Sequence, residues 1–165
     1  MIYKLLDFCD RQGLVGRADA HCDIPCGIYE PATAIVAAHS VVRLMDIMHE
    51  GFGRDPSVGR VNLVARNVAA KEEEAEKVKH EIRVIWGDYF KAPHIEAHPE
   101  IHALTHSIMQ KASACKQDVH REDAEALVEL VNQFAEIFWA TKNTKTERRD
   151  APFPTGLQMV VPVAG

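Results

Sequence analysis

The stretch VNLVARNVAAKEEEAEKVKHEIRVIW at positions 61–86 decides the fold class. Apolar residues recur in it alternately three and four residues apart, at Val61, Val64, Val68, Ala75, Val78, Ile82 and Ile85. This spacing places them on one face of an α-helix, and the run KEEEAEK lies on the outer face. Only Lys71 interrupts the apolar stripe. The pattern predicts one long amphipathic helix that runs into Trp86.

Three further segments carry helical patterns around this helix. The first runs from Pro31 to His49 and is ended by the loop GFGRDPSVGR at 51–60. Another starts near Glu100, and the last begins about Arg121 after a short polar break. No segment alternates with period two for long. The sequence therefore predicts an all-α fold, an antiparallel four-helix bundle. The tail at 146–165 has three prolines and no helical period, so we expect an appendage.

Length, composition and charge exclude several classes of protein. The chain has 165 residues, 47% of them hydrophobic and 26% charged, with a formal net charge of -5. Its Lys and Arg residues are scattered, so we expect no nucleic-acid partner. No apolar run approaches the roughly 18 residues that a membrane span needs, so we expect no membrane contact. Asp7 and Asp10 interrupt any signal-peptide core, which favours a cytoplasmic protein.

The unusual chemistry lies near the N-terminus, in ADAHCDIPCGIYEPA at 18–32. The four cysteines are too few and too unevenly spread for a disulfide scaffold. Cys22 and Cys26 lie four residues apart and indicate metal or redox chemistry, whereas Cys9 and Cys115 look incidental. A disulfide between Cys22 and Cys26 is an alternative, as a redox state of the pair.

Several kinds of site could use this cysteine pair. A structural zinc site needs four ligands, and no second cysteine pair or suitably spaced histidine pair is obvious. A thioredoxin-like site would use Cys-x-x-Cys within a βαβ unit. Two thiolates with two strong nitrogen donors in one plane suit a d8 ion such as Ni(II). A separate alternative is a histidine stripe, since His98, His102 and His106 lie four residues apart and could bind a metal.

Three motifs carry a resemblance to a known family. HCDIPCGIYEP, from His21 to Pro31, resembles the N-terminal nickel hook of the nickel superoxide dismutases, with the pattern H-C-D-x-P-C-G-x-Y followed by an acidic residue and proline. WGDYFKAPHIE at 86–96 is similar to that family's W-x-D-Y-F-K-x-P-H-x-E motif. QFAEIFWATK at 133–142 is close to the end of its fourth helix. The resemblance spans roughly residues 21–145.

The resemblance implies a nickel centre that forms only after processing. A maturation protease would remove a leader, residues 1–20, by cutting between Ala20 and His21. Nickel would then take the α-amine and imidazole of His21, the backbone amide and thiolate of Cys22, and the thiolate of Cys26. The implied activity is dismutation of superoxide by a homohexamer of four-helix bundles. We refer below to residues 21–26 as the hook.

The resemblance also implies roles for residues around the metal. Tyr29 would be the catalytic residue that gates the open face of the nickel. Pro25, with a cis Ile24–Pro25 bond as the candidate, would turn Cys26 back toward Cys22. Three further residues would hold the hook or attract the anion: Asp23, Tyr89 and Lys91. Gly27 would allow a backbone conformation closed to other residues.

The sequence departs from the family at two supporting positions. Family members commonly place a glutamate in the first helix and an arginine in the second to orient the axial imidazole, and here Ala37 and Glu74 stand there. His39 is a candidate substitute if the helix register allows. The domain organisation expected is a leader at 1–20, the hook and bundle at 21–145, and a tail at 146–165. The alternative function is a nickel- or zinc-binding bundle that stores or transfers metal without turnover.

Overall fold

The computed structural model describes residues 27–51 and 57–163. This part of the chain forms five α-helices, namely α1 (Ala32–Gly51), α2 (Val58–Val84), α3 (Ala92–Ala97), α4 (Ile101–Gln117) and α5 (Arg121–Thr141). A π-helical turn, Ile85–Tyr89, continues α2. Two strands follow, β1 (Thr146–Asp150) and β2 (Gln158–Pro162). None of the described helices is long and apolar enough to cross a membrane.

The four long helices form the predicted bundle. Helix α1 contacts α2 and α5, and α4 contacts the same two helices, so each long helix has two neighbours around one core. The largest fully buried apolar side chains come from all four helices: Met45, Ile82, Ile101, Ile108, Leu127, Phe134 and Phe138. Burying side chains of this size contributes roughly 1.5–3 kcal/mol each. The four-helix bundle predicted from the periodicity is thus confirmed.

Helix α2 begins where its sequence supplies a cap and buries only part of its apolar stripe. Ser57 is the N-cap, and its hydroxyl accepts a hydrogen bond of 3.2 Å from the Arg60 N–H. From Ala75 onward the stripe is buried, whereas Val61 remains 64% exposed and Val64 remains 40% exposed. The first two turns of α2 therefore present apolar surface outside the core of the described chain.

Lys71, the one residue that interrupts the apolar stripe, is buried, and its hydrogen bonds explain why a lysine occupies this position. Its Nζ donates to the carbonyl oxygens of Cys115 at 2.6 Å, Lys116 at 3.1 Å and Asp118 at 2.9 Å. The last carbonyls of a helix have no partner within the helix, so α4 needs outside donors at this end. A lysine ammonium group offers three N–H donors, and all three are used. Burial lowers the pKa of Lys71, since it disfavours the charged form.

The C-terminal tail is a β-hairpin rather than the expected appendage. β1 pairs antiparallel with β2, with Thr146 opposite Pro162 and Asp150 opposite Gln158. Val160 in β2 is buried among the core residues. The Asn132 side chain of α5 accepts from the Val160 N–H at 3.0 Å and donates to the Gln158 carbonyl at 2.9 Å. The Asn132 amide thus makes the hydrogen bonds that a neighbouring strand would make with β2, and it holds β2 against α5.

Charged side chains secure the other strand and the connection between the strands. The Arg148 guanidinium of β1 contacts the carboxylates of Glu136 at 2.8 Å and Glu129 at 2.6 Å, both on α5. Arg121 at the start of α5 donates to the Thr155 carbonyl at 3.0 Å and to Asp46 on α1 at 2.7 Å. The hairpin is consequently part of the folded unit, bound to two helices of the bundle.

His39 of α1 lies buried beneath the connection between the strands. Its Nδ1 is 2.9 Å from the Thr155 hydroxyl, and its ring centroid is 5.1 Å from that of Phe153. Burial lowers the pKa of His39 from its ordinary value of 6.5, although a backbone hydrogen bond with Gln158 opposes the shift. The folded protein therefore favours the neutral ring at this position.

Acidification is expected to weaken the folded state through His39. Between the folded pKa and 6.5, the unfolded chain binds a proton that the folded chain does not. The contribution of His39 to the free energy of unfolding is therefore complete above pH 6.5 and is lost as the pH falls toward the folded pKa. Urea unfolding followed by circular dichroism above and below pH 6.5 measures this loss.

His39→Gln is the matched control for that measurement, because the amide can keep a hydrogen bond to Thr155 but does not titrate. Its free energy of unfolding should fall less than that of the wild type over the same pH interval. Equal pH dependence in the two proteins would show that His39 is not the group responsible.

Candidate metal centre and its tyrosine pair

The structure describes one side of the predicted site, and the hook lies outside the described residues. The predicted cleavage point and ligands are Ala20, His21, Cys22 and Cys26, which lie before residue 27 together with Asp23, Pro25 and the Ile24–Pro25 bond. Their roles stay predictions. Within the described ranges, every peptide bond is trans and no cluster of three or more side chains could hold a metal.

The histidine stripe, of which His102 and His106 lie on α4 and His98 ends α3, therefore finds no support as a metal site among the described residues. His102 Nδ1 accepts a hydrogen bond of 3.0 Å from the Trp86 indole N–H, and the two rings meet edge to face. His98 Nδ1 lies 3.5 Å from a carboxylate oxygen of Glu100. Two members of the stripe thus have local partners, and the third, His106, is exposed.

The chain enters α1 through a glycine and a proline, as the hook motif predicts. Gly27 has a φ of 72°, in the left-handed region that glycine adopts without steric cost. The Pro31 carbonyl accepts the N–H of Ile35 at 3.1 Å, which is the first bond of the helix. A Glu30 carboxylate oxygen accepts the otherwise unpaired N–H of Ala32 at 3.1 Å. These contacts fix the position of Tyr29 just before α1.

Tyr29, just before α1, and Tyr89, just after α2, are brought together by the fold. Their ring centroids are 5.6 Å apart with an angle of 52° between the planes. Tyr89 ends the π-helical turn that follows α2, in which the Phe90 N–H reaches the Ile85 carbonyl at 3.3 Å. Single π-helical turns often occur at functional sites. The two predicted tyrosines therefore form a pair beside the start of α1.

Aromatic side chains fix the ring of Tyr89. The His94 ring stacks on it at 5.0 Å and 18°, and Phe138 of α5 contacts it at 4.8 Å. His94 Nδ1 accepts the Lys91 N–H at 3.3 Å, so neutral His94 carries its proton on Nε2. Lys91 itself is exposed at the start of α3, two residues beyond Tyr89.

The end of α5 supplies two further groups that the sequence did not single out. The Tyr89 hydroxyl lies 2.7 Å from the Thr141 hydroxyl. Lys142 Nζ lies 5.3 Å from the centroid of the Tyr89 ring and 5.0 Å from that of Phe138, within the range of a cation–π contact. His94, Thr141 and Lys142 all lie within the family motifs quoted above. Their place in those motifs is the sequence signal that could have identified them.

The two departures from the family pattern lie within the described helices. Ala37 is fully buried and has no polar side-chain atom. Glu74 is partly buried, with a carboxylate oxygen 3.9 Å from Lys77 Nζ.

Cys115, expected to be incidental, is buried in α4 as a free thiol. Burial raises its pKa to about 11, so it stays protonated at neutral pH and is a poor metal ligand.

Comparisons with known proteins place these features in one family. The family model for nickel-containing superoxide dismutase matches residues 16–142. Superoxide dismutase [Ni] of Streptomyces seoulensis is 35% identical over 126 residues, which cover 76% of this chain and 91% of that protein. Superoxide dismutase [Ni] of Streptomyces coelicolor is 37% identical over 123 residues, which cover 74% and 88%.

Solved structures give the same result. A native nickel superoxide dismutase structure aligns with a TM-score of 0.66 at 37% identity, over 74% of this chain and 99% of that one. A structure with nickel ligation of the oxidised state aligns with a TM-score of 0.67 at 36% identity and the same coverage. The hairpin that begins at Thr146 lies beyond the residues matched by the family model. This chain belongs to the nickel-containing superoxide dismutase family.

Proposed function

We propose that the processed chain converts superoxide to oxygen and hydrogen peroxide at a nickel centre in the hook. The reaction takes two superoxide anions and two protons to one molecule of each product. The observation that carries the proposal is the family match over residues 16–142, which includes the complete donor set of the hook. The described pairing of Tyr29 with Tyr89 supports it from the other side of the site.

The donor set of the hook fits nickel. His21 would supply its α-amine and imidazole, Cys22 its backbone amide and thiolate, and Cys26 its thiolate. Soft thiolates and strong-field nitrogens suit Ni(II), and the anionic donors stabilise its higher oxidation state. Bound nickel supplies the redox couple that accepts and returns one electron. The α-amine exists only when the Ala20–His21 bond has been cut, so the proposal includes removal of residues 1–20 by a maturation protease in the cytoplasm.

The described residues would control the approach of the substrate. Tyr29 and Tyr89 would form an aromatic border beside the hook and limit access to small molecules. Lys91 and Lys142 are exposed cations near this pair: Lys91 is two residues beyond Tyr89, and Lys142 Nζ lies 5.3 Å from the centroid of the Tyr89 ring. In a chain of net charge -5, local positive charge raises the encounter rate of an anion such as superoxide. Asp23 and Pro25 would shape the hook itself.

The proposed assembly is a homohexamer. Apolar side chains at the start of α2 are exposed in the single chain: Val58, Val61, Leu63 and Val64. Contiguous exposed apolar surface is typical of a protein interface. Light scattering of the processed protein would measure the assembly, and a monomer at micromolar concentration would contradict it.

The test of function compares processed and unprocessed protein. We expect a chain that begins at His21, loaded with nickel, to consume superoxide at about 10⁸–10⁹ M⁻¹ s⁻¹, near the diffusional limit. The chain that begins at Met1 lacks the α-amine ligand and should be more than about 100-fold slower. Pulse radiolysis measures both rates.

Two outcomes would contradict the proposal. Equal rates in the two proteins would refute the role of the α-amine. A processed chain that binds nickel stoichiometrically but leaves superoxide unchanged would instead support the storage or transfer alternative.

A further inference from the structure

The hydrogen-bond geometry at the end of α5 determines which hydroxyl donates to which. Thr141 Oγ1 lies 2.6 Å from the Phe138 carbonyl oxygen and 2.7 Å from the Tyr89 hydroxyl. A carbonyl oxygen can only accept, so the single hydroxyl proton of Thr141 goes to Phe138. In its bond with Tyr89, Thr141 can then act only as the acceptor. The phenolic proton of Tyr89 is therefore directed to Thr141.

The Tyr89 ring is held independently of this bond. His94 stacks on one side, Phe138 contacts the ring at 4.8 Å, and the Lys142 ammonium lies 5.3 Å from its centroid. Ring position is thus fixed by packing, and the direction of the proton is fixed by Thr141. A neutral phenol has one proton, so Tyr89 offers only lone pairs to any other group that reaches its oxygen.

The bond from Thr141 to Phe138 is a stable local feature of the helix end. Threonine hydroxyls commonly donate to a backbone carbonyl three or four residues earlier. Thr141 is the last residue of α5, where carbonyls lack helical partners, and its hydroxyl satisfies one of them. The direction of the Thr141 proton therefore follows from α5 itself and does not depend on the hook.

We infer that Thr141 is a positioning residue of the site, which takes the phenolic proton of Tyr89 and keeps Tyr89 a hydrogen-bond acceptor toward the Tyr29 side. The direction of this hydrogen bond is independent of the proposed function. Only its consequence for anions, given next, rests on that function. An acceptor oxygen repels small anions, whereas a phenol free to turn its proton outward would bind them. Thr141 would accordingly keep anions, including substrate, from being held at Tyr89.

The test uses Thr141→Val, which keeps the shape of the side chain but removes the acceptor, and Thr141→Ser, which retains it. The chain has three tyrosines, so Tyr3→Phe with Tyr29→Phe leaves Tyr89 as the sole tyrosine. The tyrosine Fermi doublet in the ultraviolet resonance Raman spectrum distinguishes a phenol that donates a hydrogen bond from one that accepts. Nickel-free protein suffices, and circular dichroism establishes that each variant keeps its helices.

In the protein whose sole tyrosine is Tyr89, and in its Thr141→Ser variant, we expect the doublet of a phenol that donates a hydrogen bond. Thr141→Val should lose this doublet. The doublet of an accepting phenol before Thr141 is changed, or an unchanged doublet in Thr141→Val, would overturn the inference. In nickel-loaded protein with Tyr3 and Tyr29 intact, Thr141→Val should bind azide roughly three- to tenfold more tightly than wild type, and Thr141→Ser should match wild type. Unchanged azide binding would overturn the consequence for anions. Failure of the wild type to consume superoxide would refute the proposed function. It would not affect the Raman result, which tests only the direction of the Tyr89 hydrogen bond.

Discussion

Replacing Cys22 or Cys26 with serine is expected to abolish superoxide consumption and leave the helices unchanged. A serine hydroxyl stays protonated at neutral pH and is a hard donor, so each change removes one soft anionic ligand from the proposed nickel plane. We expect the rate to fall by more than about 100-fold, beyond the 10- to 100-fold typical of residues that only support a metal ligand. Bound nickel, measured by elemental analysis, should fall in parallel with the rate.

Cys115→Ala is the matched control, because it removes a thiol that takes no part in the proposed site. Cys115 is buried in α4, and burial raises its pKa to about 11. Its loss should lower stability modestly but leave nickel content and activity at wild-type levels. Full activity in Cys22→Ser or Cys26→Ser would refute the thiolate assignment. Loss of nickel in Cys115→Ala would point to a different cysteine ligand.

The helices could be predicted from the sequence because their apolar faces are regular. The buried residues Ala75, Val78 and Ile82 follow the periodicity that defines α2. The exposure of Val61 could not be predicted in the same way, since periodicity shows that a face is apolar but not what covers it. The sequence pattern of a helix that faces the core and of one that faces a partner chain is the same.

The hairpin could not be predicted because its stabilising contacts are polar and distant in sequence. Strand β1 reads TERRD, and its five residues show no apolar alternation. The position of the hairpin depends on Arg148 of β1, which lies between two glutamates, and on Asn132, a polar residue on the otherwise apolar face of α5 that bonds to β2. A buried asparagine requires partners, but the sequence does not say that the partners are strand carbonyl and amide groups.

The residues of the candidate site, too, could be predicted from the sequence only in part. The hook was evident from the sequence because its ligands lie within six residues, and a local motif records their spacing. Tyr89, 60 positions after Tyr29, was singled out only through the family resemblance. Thr141 and Lys142 lie about 50 residues further along, and their roles follow from hydrogen-bond direction and ring geometry. Those relations arise from packing and leave no periodic signal.

Replacing Lys71 with methionine is expected to lower the free energy of unfolding by about 2–4 kcal/mol. Methionine keeps most of the apolar stem but leaves the carbonyls of Cys115, Lys116 and Asp118 without their donor at the end of α4. Each carbonyl left buried and unpaired costs roughly 1–3 kcal/mol. Part of this cost is offset because the variant no longer buries an ammonium group, whose desolvation lowers the pKa of Lys71. The urea midpoint should shift with an unchanged slope.

Lys77→Met is the matched control on the same helix. The Lys77 side chain is 47% exposed and lies 3.9 Å from a carboxylate oxygen of Glu74, an ion pair of the kind that contributes little. Its replacement should change the free energy of unfolding by less than about 0.5 kcal/mol. If Lys71→Met unfolded at the same urea concentration as Lys77→Met, water or a rearranged α4 end would have to satisfy the three carbonyls. The break in the apolar stripe would then not be explained by capping of α4.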